Sequence, residues 1–197
     1  MHRAVAAATW MRHVNGVNAP KEMQHWLTDR MSLTKKLIAH CGSFRVQRLV
    51  QQPARCLHDE VGMVALPRRV CVQERDVLLR CDGVAVVYGH TVVPLSATVQ
   101  DWPFFSSLGE RSLGTTLFGD PLVQRGALQY ARLPHAHPLL ARARRVLGDE
   151  AGRGPLFARR CLYQRRNGLL LVTEVFLPAI AGLAGTGKQS KTKGSTE

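Results

Sequence analysis

Along the chain the strongest pattern of apolar and β-branched positions is the pair of runs Val70–Cys81 and Val84–Val93, and both read as strands. Between them stands Asp82-Gly83, two residue types that tolerate the positive φ of a type I′ turn. The pair predicts a tight hairpin, closed off by Pro94. Phe157–Arg166 and Leu169–Leu177 predict a second hairpin, turning at Asn167-Gly168 and stopped by Pro178. Phe44–Val50 alternates imperfectly and Leu128–Leu133 is short, yet both read as strands. The expected total is about six.

Helical spacing is sparser. Met23, Trp26 and Leu27 recur at it after Lys21, and Ser32 is placed to cap a second short helix carrying Leu37 and Ile38, with Gly42 as its stop. Pro138–Leu147 reads as a helix ended by Gly148. Leu108-Gly109 and Leu113-Gly114 punctuate a mixed stretch before Pro121. The Ala- and Asn-rich residues 1–20 predict a flexible N-terminal arm, and the Gly/Ser/Thr/Lys residues 181–197 a disordered basic tail. Residues 21–180 are left as one α+β domain, an antiparallel sheet with helices on one side.

Charge changes the picture more than composition does. Lys and Arg number 27 against 14 Asp and Glu, a formal net charge of +13, which favours acidic partners. Zinc-finger spacing, an aromatic RNA-binding signature and a helix-turn-helix pattern are all missing, so the surplus reads as a solvated basic surface and nucleic acid is not an expected partner. No apolar run reaches the ~18–20 residues of a membrane span, which argues against membrane insertion. The five cysteines form no CxxC pair and follow no convincing secretory signal, so reduced thiols in a cytoplasm are expected.

Two charged residues stand where the alternation wants apolar ones. Arg75 shares its strand face with Val77, Leu79 and Cys81, while Glu74, Asp76 and Arg80 take the other. Glu174 sits with Leu170, Val172 and Phe176 in a strand whose other face carries Leu169, Leu171, Thr173, Val175 and Leu177. A buried guanidinium or carboxylate is costly unless paired. Two readings stand: a buried salt bridge, or a ligand site in which Arg75 holds a carboxylate in its planar fork. Other candidates carry less. His135-Ala-His137 lacks a third metal ligand nearby, and Gly182–Lys188 imitates a phosphate loop but continues with Gln189 where a Ser or Thr is required.

Trp26–Thr34, Arg75–Gly83, Thr91–Pro94, Leu108-Gly109 with Ser112–Gly114 and Leu117-Phe118, Arg159-Arg160, and Leu170–Pro178 follow one another in a fixed order. Each block is weak alone. Together, over roughly residues 25–178, they resemble the chorismate lyase (chorismate–pyruvate lyase) family. The resemblance implies a single-domain, cofactor-free and metal-free enzyme that eliminates pyruvate from chorismate to give 4-hydroxybenzoate for ubiquinone. Helical flaps would cover an internal ligand pocket against the sheet. Arg75 and Glu174 would be the catalytic pair, Arg75 meeting the product carboxylate and Glu174 the phenol. Main-chain groups of two flap segments, at Leu33 and Leu113, would complete the substrate-binding cradle. Leu33 departs from the methionine of the family pattern, a change confined to the pocket wall because the main chain makes the contact. One of Arg159 and Arg160 would add positive potential for the second carboxylate of chorismate. Chorismate and 4-hydroxybenzoate are then the expected partners of a protein read as a monomer. The alternative is a non-catalytic, small-acid-binding effector domain of similar fold. Such domains normally follow a winged-helix DNA-binding domain, for which residues 1–24 are too short.

Overall fold

The structure, a computed structural model, describes residues 7–185. Its strands are β1 (Phe44–Arg55), β2 (Cys71–Cys81), β3 (Val84–Pro94), β4 (Val123–Leu133), β5 (Leu156–Arg165) and β6 (Gly168–Phe176). They form one antiparallel sheet in the order β1-β2-β3-β6-β5-β4. Two three-stranded meanders are thus joined through their third strands, which puts the two hairpins side by side at the centre. The helices are α1 (Lys21–Leu27), α2 (Leu33–His40), α3 (Leu113–Gly119) and α4 (Pro138–Leu147). The chain is α+β, as its pattern predicts.

The first hairpin turns where expected, with Asp82 at φ 50° and Gly83 at φ 82°. The second turns one residue earlier than expected. Arg166, at φ 52°, and Asn167 make the loop, and Gly168 already pairs with Arg165 as the first residue of β6. Gly168 is required for a different reason, since any side chain there would run into Asp101. β1 continues past Pro53, which an edge strand tolerates because the missing N–H can face away from its neighbour.

Helices cover both faces rather than the single side expected. α1 and α2 bury Trp26, Leu27 and Leu37 in one cluster with Val77, Val87 and Phe176. α4 buries Leu139, Leu140 and Ala143 in a second cluster with Leu78, Tyr88 and Val175. The reason lies in β3, buried at every position from Ala85 to Pro94. A strand apolar on both faces has to be covered twice.

The part of the N-terminal arm that is described packs onto the sheet instead of lying loose. Met11 and Tyr130 exchange backbone hydrogen bonds of 2.7 and 2.8 Å, extending the edge at β4. Trp10 donates from Nε1 to Asp59 Oδ2 at 2.8 Å, with the Arg160 guanidinium 4.2 Å from its ring centre. Val17 and Ala19 are buried in the first cluster. At the other end a 3-10 helix, Pro178–Gly185, buries Ile180 and brings Leu183 against the same cluster. Most of the expected basic tail, residues 186–197, lies outside the described residues. Among the described residues no helix is long and apolar enough to cross a membrane.

Candidate active site

A cavity lies between the sheet and two flaps. The first flap is α1, α2 and the loop joining them; the second is the stretch from Leu95 through α3. The sheet supplies Arg75, Val77 and Leu79 from β2, Gly89 and Thr91 from β3, Val172 and Glu174 from β6, Arg159, Cys161 and Tyr163 from β5, and Arg125 and Leu128 from β4. The flaps supply Leu33 and Thr34 from α2 and Leu113, Gly114, Leu117 and Phe118 on the other side. The strand alternation therefore aims Arg75 and Glu174 into one space.

Their positions follow from register. Arg75 pairs with Thr91, and Glu174 pairs with Gly89 two residues along β3. Two strand spacings across and two residues along separate their Cα atoms by about 12 Å. Gly89 lies between them and carries no side chain to fill the floor.

The two residues do not pair with each other. Glu174 accepts from Arg159 Nε at 2.5 Å through Oε2, while Oε1 accepts no hydrogen bond from the described residues. Arg159 is held in turn by the first flap, its Nη1 donating to the carbonyls of Trp26 (3.0 Å), Leu27 (3.3 Å) and Asp29 (2.7 Å). Arg75 is 2% exposed and has no carboxylate partner among the described residues. Its Nη2 donates to the carbonyls of Gly109 and Arg111 in the second flap, both at 3.0 Å, and its Nε is buried without a partner. Burial pulls its pKa down to about 10, with a smaller push from Arg48. At neutral pH it is still a cation. An unpaired buried guanidinium beside an open cavity is a place prepared for an anion.

Leu33 and Leu113 are each the first residue of a flap helix, after Ser32 and Ser112. A helix leaves its first N–H groups without internal acceptors. The two helix starts meet over the cavity: Thr34 and Ser112 share a hydroxyl hydrogen bond of 2.6 Å, and a Cβ on Gly114 would lie 3.3 Å from Thr34 Oγ1. Burial raises the pKa of both the Cys161 thiol and the Tyr163 hydroxyl on the cavity wall. Neither is a ready anion.

Of the paired arginines read as partners for a second carboxylate, Arg159 reaches the cavity but is spent on Glu174. Arg160 points to the opposite face, donating to Gln129 and to the Asp59 carbonyl. Arg160 is one residue out of phase with Arg159, Cys161 and Tyr163, which line the cavity. His137 is a structural cap, accepting from Leu139 N and lying 3.3 Å from Asp59.

The face under α4 holds a separate buried charge cluster. Asp76 Oδ1 lies 2.5 Å from His90 Nδ1, and Oδ2 accepts from Tyr88 (2.6 Å) and Arg142 (3.1 Å). Arg142 also donates to Glu74 at 2.8 Å, and His90 Nε2 lies 3.1 Å from Glu60, an ion pair without hydrogen-bond geometry. Glu74, Asp76 and His90 are close enough together to hold a metal ion. Arg142 already sits against both carboxylates, so the cation position is filled.

This cluster predicts an alkaline weakness. Burial opposes charge on His90, but Glu60 and Asp76 outweigh it and raise its pKa to about 10. The stabilisation is complete below its ordinary value of 6.5 and is lost as pH rises through about 10. The melting temperature is expected to fall between pH 7 and pH 10.5 by at least the ~2–4 °C that 1 kcal/mol produces in a domain of this size. His90→Gln should melt lower at pH 7 and show a flatter decline. Parallel declines would remove His90 as the cause.

The family model described as chorismate lyase matches residues 4–184. This chain belongs to the chorismate lyase family. It is 41% identical over 172 residues to a probable chorismate pyruvate-lyase of Cupriavidus metallidurans, covering 87% of this chain and 80% of that protein. A protein of the same name from Ralstonia nicotianae is 43% identical over 180 residues, covering 90% and 86%. Among solved structures, the effector domain of PhnF from Mycobacterium smegmatis superposes with a TM-score of 0.51 at 17% identity, over 76% of this chain and 88% of that one. That likeness concerns the fold alone.

Proposed function

We propose that the chain is a chorismate lyase, converting chorismate to 4-hydroxybenzoate and pyruvate. The observation that carries the reading is Arg75, a fully buried cation with two carbonyls and an empty side toward the cavity. The family membership names the anion. Arg75 anchors the ring carboxylate, and Glu174, held at Oε2 by Arg159, offers Oε1 to the ring hydroxyl. The N–H groups at Leu33 and Leu113 close over the ligand from the flaps.

The reaction balances without an added oxidant or reductant. The ring carbon bearing the hydroxyl loses its proton, the electron pair becomes the last ring double bond, and the neighbouring C–O bond breaks. The departing enolpyruvyl group gains a proton and becomes pyruvate. Aromatisation supplies the driving force, so the protein has mainly to orient a dianion and exclude water. The product feeds ubiquinone synthesis in the cytoplasm, and the enzyme works as a monomer.

The test is direct. Purified protein incubated with chorismate in excess chelator should release 4-hydroxybenzoate and pyruvate in equal amounts. Activity lost to the chelator and restored by a metal would overturn the cofactor-free reading. Tight binding of 4-hydroxybenzoate with no turnover would favour the effector-type alternative.

A further inference from the structure

Chorismate carries two carboxylates, and the assignments so far account for one. The charged residues on the cavity wall are Arg75, Arg125, Arg159 and Glu174. Three cations against one anion leave a net charge of +2, which matches a dianion. Arg75 takes the ring carboxylate, and Glu174 neutralises Arg159. Arg125 remains.

Its place on the wall comes from an irregularity in β4. Arg125 pairs with Tyr163 and Leu128 with Cys161, so three steps on β4 oppose two on β5. Such a bulge resets the alternation. It turns Arg125 and Leu128, which a regular strand would place on opposite faces, into the same cavity. Gly126 allows it, since a Cβ there would stand 3.0 Å from the Leu162 carbonyl oxygen.

Arg125 is positioned but not neutralised. Its Nη1 donates to the Arg30 carbonyl in the first flap, and its guanidinium lies 5.2 Å from the Phe118 ring centre in the second. Its Nε is buried without a hydrogen-bond partner, although the Cys161 thiol is close by. No carboxylate of the described residues forms an ion pair with it. Across the sheet the order is Arg75 on β2, Glu174 on β6, Arg125 on β4. A ring stretched from Arg75 to Glu174 has the carbon next to its hydroxyl, which bears the enolpyruvyl ether, free to point on toward β4.

We infer that Arg125 binds the carboxylate of the enolpyruvyl group, and so selects the dianionic substrate over the monoanionic product. The inference rests on the lyase reading. Once the C–O bond breaks, pyruvate carries that carboxylate away and Arg125 has no hold on 4-hydroxybenzoate.

The test compares two ligands. 4-Hydroxybenzoate has the ring carboxylate and phenol; 3-(carboxymethoxy)-4-hydroxybenzoate adds a second carboxylate through an ether at the same ring position. Arg125→Gln should weaken the dianion by about 10- to 150-fold, as expected for one charge-assisted contact, and 4-hydroxybenzoate by about threefold or less. The value of kcat/KM for chorismate should fall with the dianion, and Arg125→Lys should recover part of both losses. Equal losses for the two ligands would make Arg125 only a latch on the flaps, and unchanged binding of both would remove it from the site; either result overturns the inference. If the unsubstituted protein neither turns over chorismate nor binds 4-hydroxybenzoate, the lyase reading itself fails and the inference goes with it.

Discussion

Arg75→Ala is expected to abolish measurable turnover of chorismate while leaving the protein folded. On the proposed reading the substitution removes the charge partner of the ring carboxylate, which is desolvated on binding. Leaving such a group unpaired costs roughly 2–5 kcal/mol, or about 30- to 5,000-fold in affinity. Benzoate and 4-hydroxybenzoate should lose affinity alike, because both present the carboxylate. Stability should respond differently. Two hydrogen bonds to Gly109 and Arg111 are lost, but so is a buried cation that lacks a carboxylate. These effects oppose each other, and the melting temperature should move by no more than the ~2–4 °C that 1 kcal/mol produces. Calorimetric titration with the two acids, beside a thermal melt, reads all three outcomes. A loss of several kcal/mol of stability would mean that Arg75 is a structural ion-pair member after all.

Glu174→Ala should separate the same two ligands. Only 4-hydroxybenzoate offers a phenol, so its affinity should drop by about 10- to 150-fold while benzoate changes little. Equal losses would defeat the assignment of Glu174 to the phenol. Here stability should fall as well. Arg159 is 2% exposed and would lose the carboxylate 2.5 Å from its Nε. Breaking a fully buried pair costs about 3–5 kcal/mol; with the Glu174 side chain 21% exposed, about 2–3 kcal/mol is expected. Arg75 and Glu174 both look like misplaced charges in the sequence, yet the protein depends on them in different ways. Only the pairing in three dimensions separates the two cases.

Arg159 and Arg125 show two things that a sequence reading misses about the cavity wall. Arg159 shares a face with Phe157, Cys161 and Tyr163, the same kind of signal that singles out Arg75. It was legible, but its partner was not: Glu174 stands opposite it only because β5 and β6 pair in that register. Arg125 was hidden by the bulge at Gly126. Counting in twos from Leu128 puts it on the wrong face, and one extra residue puts it on the right one.

The local pattern by itself determined the two hairpins, the inward direction of Arg75 and Glu174, the caps at Ser32 and Gly148, and the α+β class. These depend on period, turn chemistry and residue size, which act over a few neighbouring residues. Tertiary structure decided the rest. It joined the hairpins through β3 and β6, laid the described part of the N-terminal arm against β4, and packed Gly168 against Asp101, where no side chain fits. It also gave Glu174 to Arg159 and left Arg75 without a carboxylate partner among the described residues. Partner choice between buried charges depends on which strands lie side by side, and sequence spacing does not contain that distance.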